Sequence, residues 1–188
     1  CVNAKNLYDI VKELPTSEVS FEKVENQNTL NLNCGDIHYT LLVYNNDEFP
    51  HLNFSHTPSE FSIRPEILLD MINKTSHAVS NDETRLYLNG IFIQETDSKL
   101  RAVATDGHRL SLLDTDFADG NKSSQNLKNG IIIPRKGVSE LKKLAESSSD
   151  EMLKVSVDDS FLYINGNNYS LSIRLIAREY PKYQAVIP

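Results

Sequence analysis

Three times along this chain, apolar residues at helical spacing give way to short alternating runs set off by turn residues. This recurrence limits the fold more than any single motif does. In the first copy Ala4, Leu7, Ile10, Val11 and Leu14 mark one face of a helix that Pro15 ends. Strands are expected at Val19-Ser20-Phe21-Glu22, at 30–34 and, past a Gly35-Asp36 turn, at 37–43, with a turn near 26–28 and a close at Phe49-Pro50. In the second, Phe61-Ser62-Ile63 leads into a helix with apolar positions Ile67, Leu68, Met71, Ile72, Ala78 and Val79. Strands should follow at 86–94, 100–104 and 110–113. In the third, Val138, Leu141 and Leu144 mark a helix. Strands are expected after it at 153–157, 161–164 and 169–175, and Tyr180-Pro181 closes the unit. The expectation is an α+β fold of repeated units, each one helix plus antiparallel strands. A sheet with one apolar face is unstable alone, so such units should pair. Three units leave one over. With an opening at Cys1 and an end inside an extended apolar segment, the chain reads as a piece of a longer protein.

At 188 residues the chain has room for one or two domains. It is 39% hydrophobic and 24% charged, and no run of about 18 apolar residues suggests a membrane span. Cys1 and Cys34 are too few for a disulfide framework and have no partners at zinc spacing, so reduced thiols and no metal are expected. A net charge of −7 gives no general attraction to phosphate. Charge can still be segregated, and Lys5 and Lys12, Arg64 and Lys74, and Arg135, Lys136, Lys142 and Lys143 each lie in or beside an expected helix. Ordinary solvated helix faces are the alternative reading of these residues.

The densest polar feature is Val103-Ala104-Thr105-Asp106-Gly107-His108-Arg109-Leu110. An apolar run stops at Thr105, and Leu110-Ser111-Leu112 restarts the alternation. Gly107 permits a positive φ and Asp106 can bond its own backbone, so a tight corner forms readily there. His108 and Arg109 are left on a polar rim beside apolar neighbours, an arrangement suited to holding a short peptide.

This segment resembles the Ala-Thr-Asp-Gly-His-Arg-Leu motif of the bacterial DNA polymerase III beta subunit family, the replication sliding clamps. Four further segments agree in the family's order: Glu83-Thr84-Arg85-Leu86-Tyr87-Leu88-Asn89-Gly90, Ile133-Pro134-Arg135-Lys136, Ser172-Ile173-Arg174-Leu175-Ile176, and Tyr180-Pro181-Lys182-Tyr183 running to Val186-Ile187-Pro188. The resemblance implies a DNA-clamp fold in which helices line a channel and sheets form the outer wall. It implies that residues 1–54 are the second half of clamp domain 1 and residues 55–188 are clamp domain 2, with the first half of domain 1 and all of domain 3 outside the chain.

The function so implied is a non-catalytic processivity factor of the bacterial cytoplasm, without cofactor, that encircles duplex DNA as a homodimeric ring. Its partners would be double-stranded DNA, read without sequence preference, and the polymerase III catalytic subunit, clamp loader and repair proteins, held through short motifs near Gln-Leu-x-Leu-Phe. Two sets of residues follow from the resemblance. Leu88, Thr105, Gly107, His108, Arg109, Leu110, Pro181 and Val186 match one wall of the partner-peptide pocket. Lys5, Lys12, Arg64, Lys74, Arg85, Tyr87, Arg135, Lys136, Lys142 and Lys143 are candidates to face DNA. Two departures stand out. Ala185 sits where the family has an Arg two residues after the motif's Tyr, and Leu86 sits where a second aromatic is usual.

Two readings from other classes remain. One is a small α+β hydrolase or phosphoesterase centred on Asp106 and His108, with Asp114 or Asp116 completing an acid–base or metal cluster. No Gly-rich phosphate loop, nucleophile elbow or Cys/His pairing supports it. The other is a generic repeat-built interaction domain without a DNA role.

Overall fold

The computed structural model describes residues 1–15, 18–24, 27–44, 61–117 and 125–187. The expected close at Phe49-Pro50, part of the turn near 26–28, and Pro188 lie outside them. The chain divides into two compact units, Cys1–Leu52 and Asn53–Pro188.

In the first unit, helix α1 (Ala4–Glu13) begins at Asn3, whose side-chain oxygen accepts the Asn6 N–H at 3.0 Å. It stops at Leu14, which is extended, as expected of a residue before proline. Strands β1 (Ser20–Lys23), β2 (Thr29–Cys34) and β3 (Ile37–Leu42) form an antiparallel meander in that order. Gly35, with φ +56°, makes the β2–β3 turn. Register puts Phe21, Leu32 and Tyr39 in one row on one face, while Glu22, Asn31 and Thr40 occupy the other. Leu32 and Cys34 are buried, whereas Phe21 and Tyr39 remain substantially exposed on that apolar face.

The second unit holds β4 (Phe61–Ile63), α2 (Pro65–Thr75), β5 (Gly90–Thr96), β6 (Lys99–Thr105), β7 (Leu110–Asp116), the short helix α3 (Gln125–Asn129), β8 (Ile131–Pro134), α4 (Arg135–Ser147), β9 (Leu153–Val157), β10 (Phe161–Asn165) and β11 (Ser170–Arg174). These make two four-stranded antiparallel sheets, ordered β7-β6-β5-β8 and β11-β10-β9-β4. Helices α2 and α4 pack on each other, and a single apolar core joins them to both sheets.

Each sheet carries a strand from the other repeat. β4 precedes α2 but pairs with β9, matching Phe61 to Val155 and Ile63 to Leu153. β8 precedes α4 but pairs with β5, matching Ile91 to Ile133 and Ile93 to Ile131. The repeats are therefore exchanged rather than self-contained. The sequence assigned Phe61-Ser62-Ile63 to its own repeat and gave no strand to 131–134. A three-residue apolar run carries no periodicity that would show its partner.

A second correction concerns 86–94. Leu86–Leu88 is a 3₁₀ turn, and the strand starts only at Gly90. The Leu88 and Asn89 amides are taken by the Arg85 and Leu86 carbonyls at 2.8 and 3.1 Å, so they cannot donate to a ladder. α2 likewise ends at Thr75, and a 3₁₀ turn at Ser76–Ala78 carries the chain on to Val79.

The central strands of the β5 sheet are buried on both faces. Ile91, Ile93, Leu100, Ala102 and Ala104 enter the main core. On the opposite face Ile132, Phe92, Val103 and Leu112 form one row across four strands. They join Leu88, Tyr180 and Tyr183 in a second cluster, which residues 176–187 cover.

At Gly90 an added Cβ would overlap the Ile133 carbonyl oxygen. Gly90→Ala must therefore separate β5 from β8. It should cost about 3 kcal/mol in chemical denaturation, against a few tenths for a surface control. A cost below about 1 kcal/mol would contradict the exchanged pairing.

Candidate functional site

The corner between β6 and β7 is organised by its own side chains. The Thr105 hydroxyl donates to the Arg109 carbonyl at 2.7 Å and accepts the Gly107 N–H at 3.1 Å. One Asp106 oxygen accepts the His108 and Arg109 amides at 2.9 and 3.1 Å, and the other accepts Arg109 Nε at 3.0 Å. The amides of His108 and Arg109, ahead of the Arg109 side chain, hold the Asp106 carboxyl down at about 2. Because the folded value lies below the unfolded one, this contribution is present above about pH 4 and is lost as pH falls toward 2.

Gly107 has φ +92°, and a Cβ there would lie 2.9 Å from Nη1 of Arg85. Arg85 is itself tied to Asp82 at 2.7 Å. Thr84, through its hydroxyl and amide, and then Arg85 hold the Asp82 carboxyl at about 2. The segment 82–85 thus stands beside the corner, and the positive φ at 107 is what favours glycine there.

The expected peptide-wall residues fall into three groups. Thr105, Gly107, His108 and Arg109 form the corner, with the His108 and Arg109 side chains exposed. Leu88 and Leu110 share the second apolar cluster with Tyr180 and Tyr183. Leu110 is half-buried and Leu88 is buried. Pro181 and Val186 flank Tyr183 on the covering segment and are exposed, Val186 at 70%.

The aromatics of this cluster carry packing that the sequence did not disclose. Phe92 stacks on Tyr180 with centroids 4.6 Å apart, and Tyr183 meets both rings edge-on. The repeated Tyr in Tyr180-Pro181-Lys182-Tyr183 was the available signal. Burial pushes the Tyr180 hydroxyl's pKa up; the group faces the Thr105 backbone without closing a well-formed hydrogen bond.

The basic candidates divide by their partners. On α1, Lys5 and Lys12 are seven residues apart and lie opposite the apolar stripe. On α4, Gly137, Val138, Leu141 and Ala145 face inward, so Lys136 and Lys143 point directly away from the core. Lys143 meets Glu140 at 2.9 Å, Lys142 meets Glu146 at 3.9 Å, and Lys74 meets Asp70 at 2.8 Å. Exposed pairs of this kind are weak and leave the cations exchangeable. Arg64 occupies the position before Pro65 at the start of α2.

Three candidates are otherwise engaged. Arg135 donates through one nitrogen to the Val79 and Ser80 carbonyls at 3.1 and 2.8 Å, anchoring the chain beyond α2. Arg85 lies against Gly107, and Tyr87 is half-buried in the second cluster.

The geometry leaves no acid–base centre at Asp106. Both its oxygens are committed to the corner, and Arg101 takes Asp114 through two nitrogens at 2.6 and 2.7 Å. Asp116 lies 3.8 Å from Lys99. Among the described residues no group of three or more His, Cys, Asp or Glu side chains converges as a metal site, and no helix is long and apolar enough to cross a membrane.

Comparison with known proteins agrees with this architecture. The family model for the DNA polymerase III beta subunit, central domain, matches residues 62–182, and that for its N-terminal domain matches residues 1–53. The chain is 32% identical over 190 residues to the beta sliding clamp of Caulobacter vibrioides, covering 98% of this chain and 50% of that protein. It is 28% identical over 188 residues to that of Proteus mirabilis, covering 100% and 49%. Among solved structures, the Caulobacter crescentus beta sliding clamp aligns with a TM-score of 0.90 at 32% identity, over 100% of this chain and 50% of that one. A Bartonella birtlesii clamp bound to griselimycin aligns with a TM-score of 0.89 at 32% identity, over the same shares. The chain spans about half the length of these relatives. On both family models and on the identity across nearly all of its length, the chain belongs to the DNA polymerase III beta subunit family.

Proposed function

We propose that this chain acts as part of a non-catalytic replication processivity factor, a sliding clamp that surrounds duplex DNA and tethers the replicative polymerase. The observation that carries the reading is the pre-organised corner at 105–110, set beside the Tyr180–Val186 segment over one apolar cluster. A rigid polar rim beside an apolar floor lowers the ordering cost of taking up an extended peptide.

In this reading residues 1–54 belong to clamp domain 1 and residues 55–188 form domain 2. The occupants of the wall are short motifs near Gln-Leu-x-Leu-Phe on the polymerase III catalytic subunit, the clamp loader and repair proteins. Leu88 and Leu110 floor the wall, Pro181 and Val186 flank it, and His108 and Arg109 orient the peptide. Ala185 leaves the rim without a long cationic side chain, which shifts preference away from acidic residues at that point of the motif. The ring of the full-length protein is a homodimer working in the bacterial cytoplasm.

DNA contact falls to the outward lysines. Lys136 and Lys143 on α4, Lys5 and Lys12 on α1, and Arg64, Lys74 and Lys142 touch phosphate without reading sequence. Acidic neighbours such as Glu66, Asp70 and Glu140 keep that grip light, which suits a protein that must slide. Arg85, Tyr87 and Arg135 serve DNA only secondarily, because each already holds a structural contact.

Titration with a fluorescent Gln-Leu-x-Leu-Phe peptide should saturate in the high micromolar range. It should weaken about tenfold in a folded His108→Ala, Leu110→Ala double variant. Equal binding by both proteins would sink the wall assignment. Association with random-sequence duplex, measured against salt, should lose up to about 2 from its log–log slope in Lys136→Ala, Lys143→Ala, with peptide binding unchanged. An unchanged slope would remove α4 from the DNA surface.

A further inference from the structure

Between the 3₁₀ turn after α2 and the start of β5, residues 80–88 form a loop that is stitched to itself. The Ser80 N–H donates to the Leu88 carbonyl at 3.0 Å and closes the base. Inside, the Asp82 N–H donates to the Ser80 hydroxyl at 3.1 Å. Asp82 accepts the Thr84 amide and hydroxyl at 2.9 and 2.6 Å and Arg85 Nε at 2.7 Å. The Leu88 N–H donates to the Arg85 carbonyl at 2.8 Å. A segment bonded in this way moves as one body, and it carries Leu88 at its end and Arg85 against Gly107.

Where that body sits is set from outside it. Among the described residues, the hydrogen bonds that join 79–89 to distant chain come from Arg135. Its Nη2 has two N–H groups, which donate to the Val79 and Ser80 carbonyls at 3.1 and 2.8 Å. Its main-chain N–H donates to the Asn89 carbonyl at 2.9 Å. Arg135 thus grips both ends of the loop, with its side chain at the entry and its backbone at the exit. Val79 and Ser80 are buried, so their carbonyls need a donor from the protein. A planar guanidinium fixes direction as well as distance, whereas the apolar contacts of Tyr87 and Leu88 resist sliding weakly.

We propose that Arg135 is a positioning residue for partner recognition: by gripping both ends of the 80–88 loop it fixes Leu88 at the peptide wall. The inference rests on reading that wall as a peptide site. Arg135 touches no peptide itself. Without its guanidinium the loop keeps its internal bonds but shifts as a unit, so Leu88 no longer meets the peptide at one distance.

The test titrates wild type, Arg135→Gln and Arg135→Lys with the fluorescent Gln-Leu-x-Leu-Phe peptide, well below their melting temperatures. The Leu88 methyl and Gly107 amide resonances are followed by NMR in parallel. Arg135→Gln should bind about threefold to tenfold more weakly. Its Leu88 and Gly107 signals should move, while the methyls of Leu162 in the other sheet stay in place. Arg135→Lys keeps the charge without the planar fork and should fall between wild type and Arg135→Gln. A merely structural tie would lower the melting temperature and leave peptide affinity and the Leu88 methyls at wild type. A DNA contact would lower the log–log salt slope for random-sequence duplex by about 1 and leave peptide affinity unchanged. Either result, or full recovery of affinity in Arg135→Lys, would overturn the proposal while leaving the wall intact. If wild type itself bound no peptide, the wall reading and this proposal would fall together.

Discussion

The pairing of β8 with β5, and of β4 with β9, is the constraint on which the rest of the second unit depends. Each sheet is completed by a strand that belongs, in sequence, to the other repeat. Neither repeat can close its own ladder, so the two share one core and α2 and α4 are drawn together across it. The same exchange puts Ile132 beside Phe92 on the outer face and widens that face into a platform four strands across. The aromatics of the segment 176–187 rest on this platform, where Tyr180 stacks on Phe92 within a cluster that includes Val103 and Ile132.

On this platform two devices of different physical character meet. The corner at 105–110 is closed by short, local hydrogen bonds from Asp106 and Thr105, and it is rigid wherever the carboxylate is ionised. The segment bearing Pro181 and Val186 is held through its aromatic rings, so its placement depends on residues distant in sequence. The basic helix faces differ from both. Their cations are exposed and several are shared with neighbouring carboxylates, in pairs weak enough to leave the cations exchangeable.

Elements governed by local signals were legible in the sequence. Ala4, Leu7, Ile10 and Leu14 mark α1, Gly35 marks its hairpin, and the alternation at 153–157 and 161–164 marks β9 and β10. Gly107 and Asp106 disclosed the corner because both act within a few residues of themselves. Partners chosen by register were not legible. Ile131-Ile132-Ile133 is too short to announce a strand, and no local rule assigns Phe61 to Val155. At Leu86–Leu88, β-favouring side chains sit on a backbone whose amides are already spent in a 3₁₀ turn. The engagement of Arg135 with the Val79 and Ser80 carbonyls, and the pairing of Arg101 with Asp114, depend on chain crossings that spacing does not encode.

The central claim is that one face of the second unit, assembled by strand exchange, presents a ready-made peptide wall. Mapping amide shifts in a ¹⁵N-labelled chain as unlabelled Gln-Leu-x-Leu-Phe peptide is added tests it most directly. The account predicts shifts confined to 85–88, 105–110 and 176–187, with the amides of β4 and β8 unmoved. Shifts centred on α2 and α4, or spread through both sheets as the unit reorganises, would contradict it.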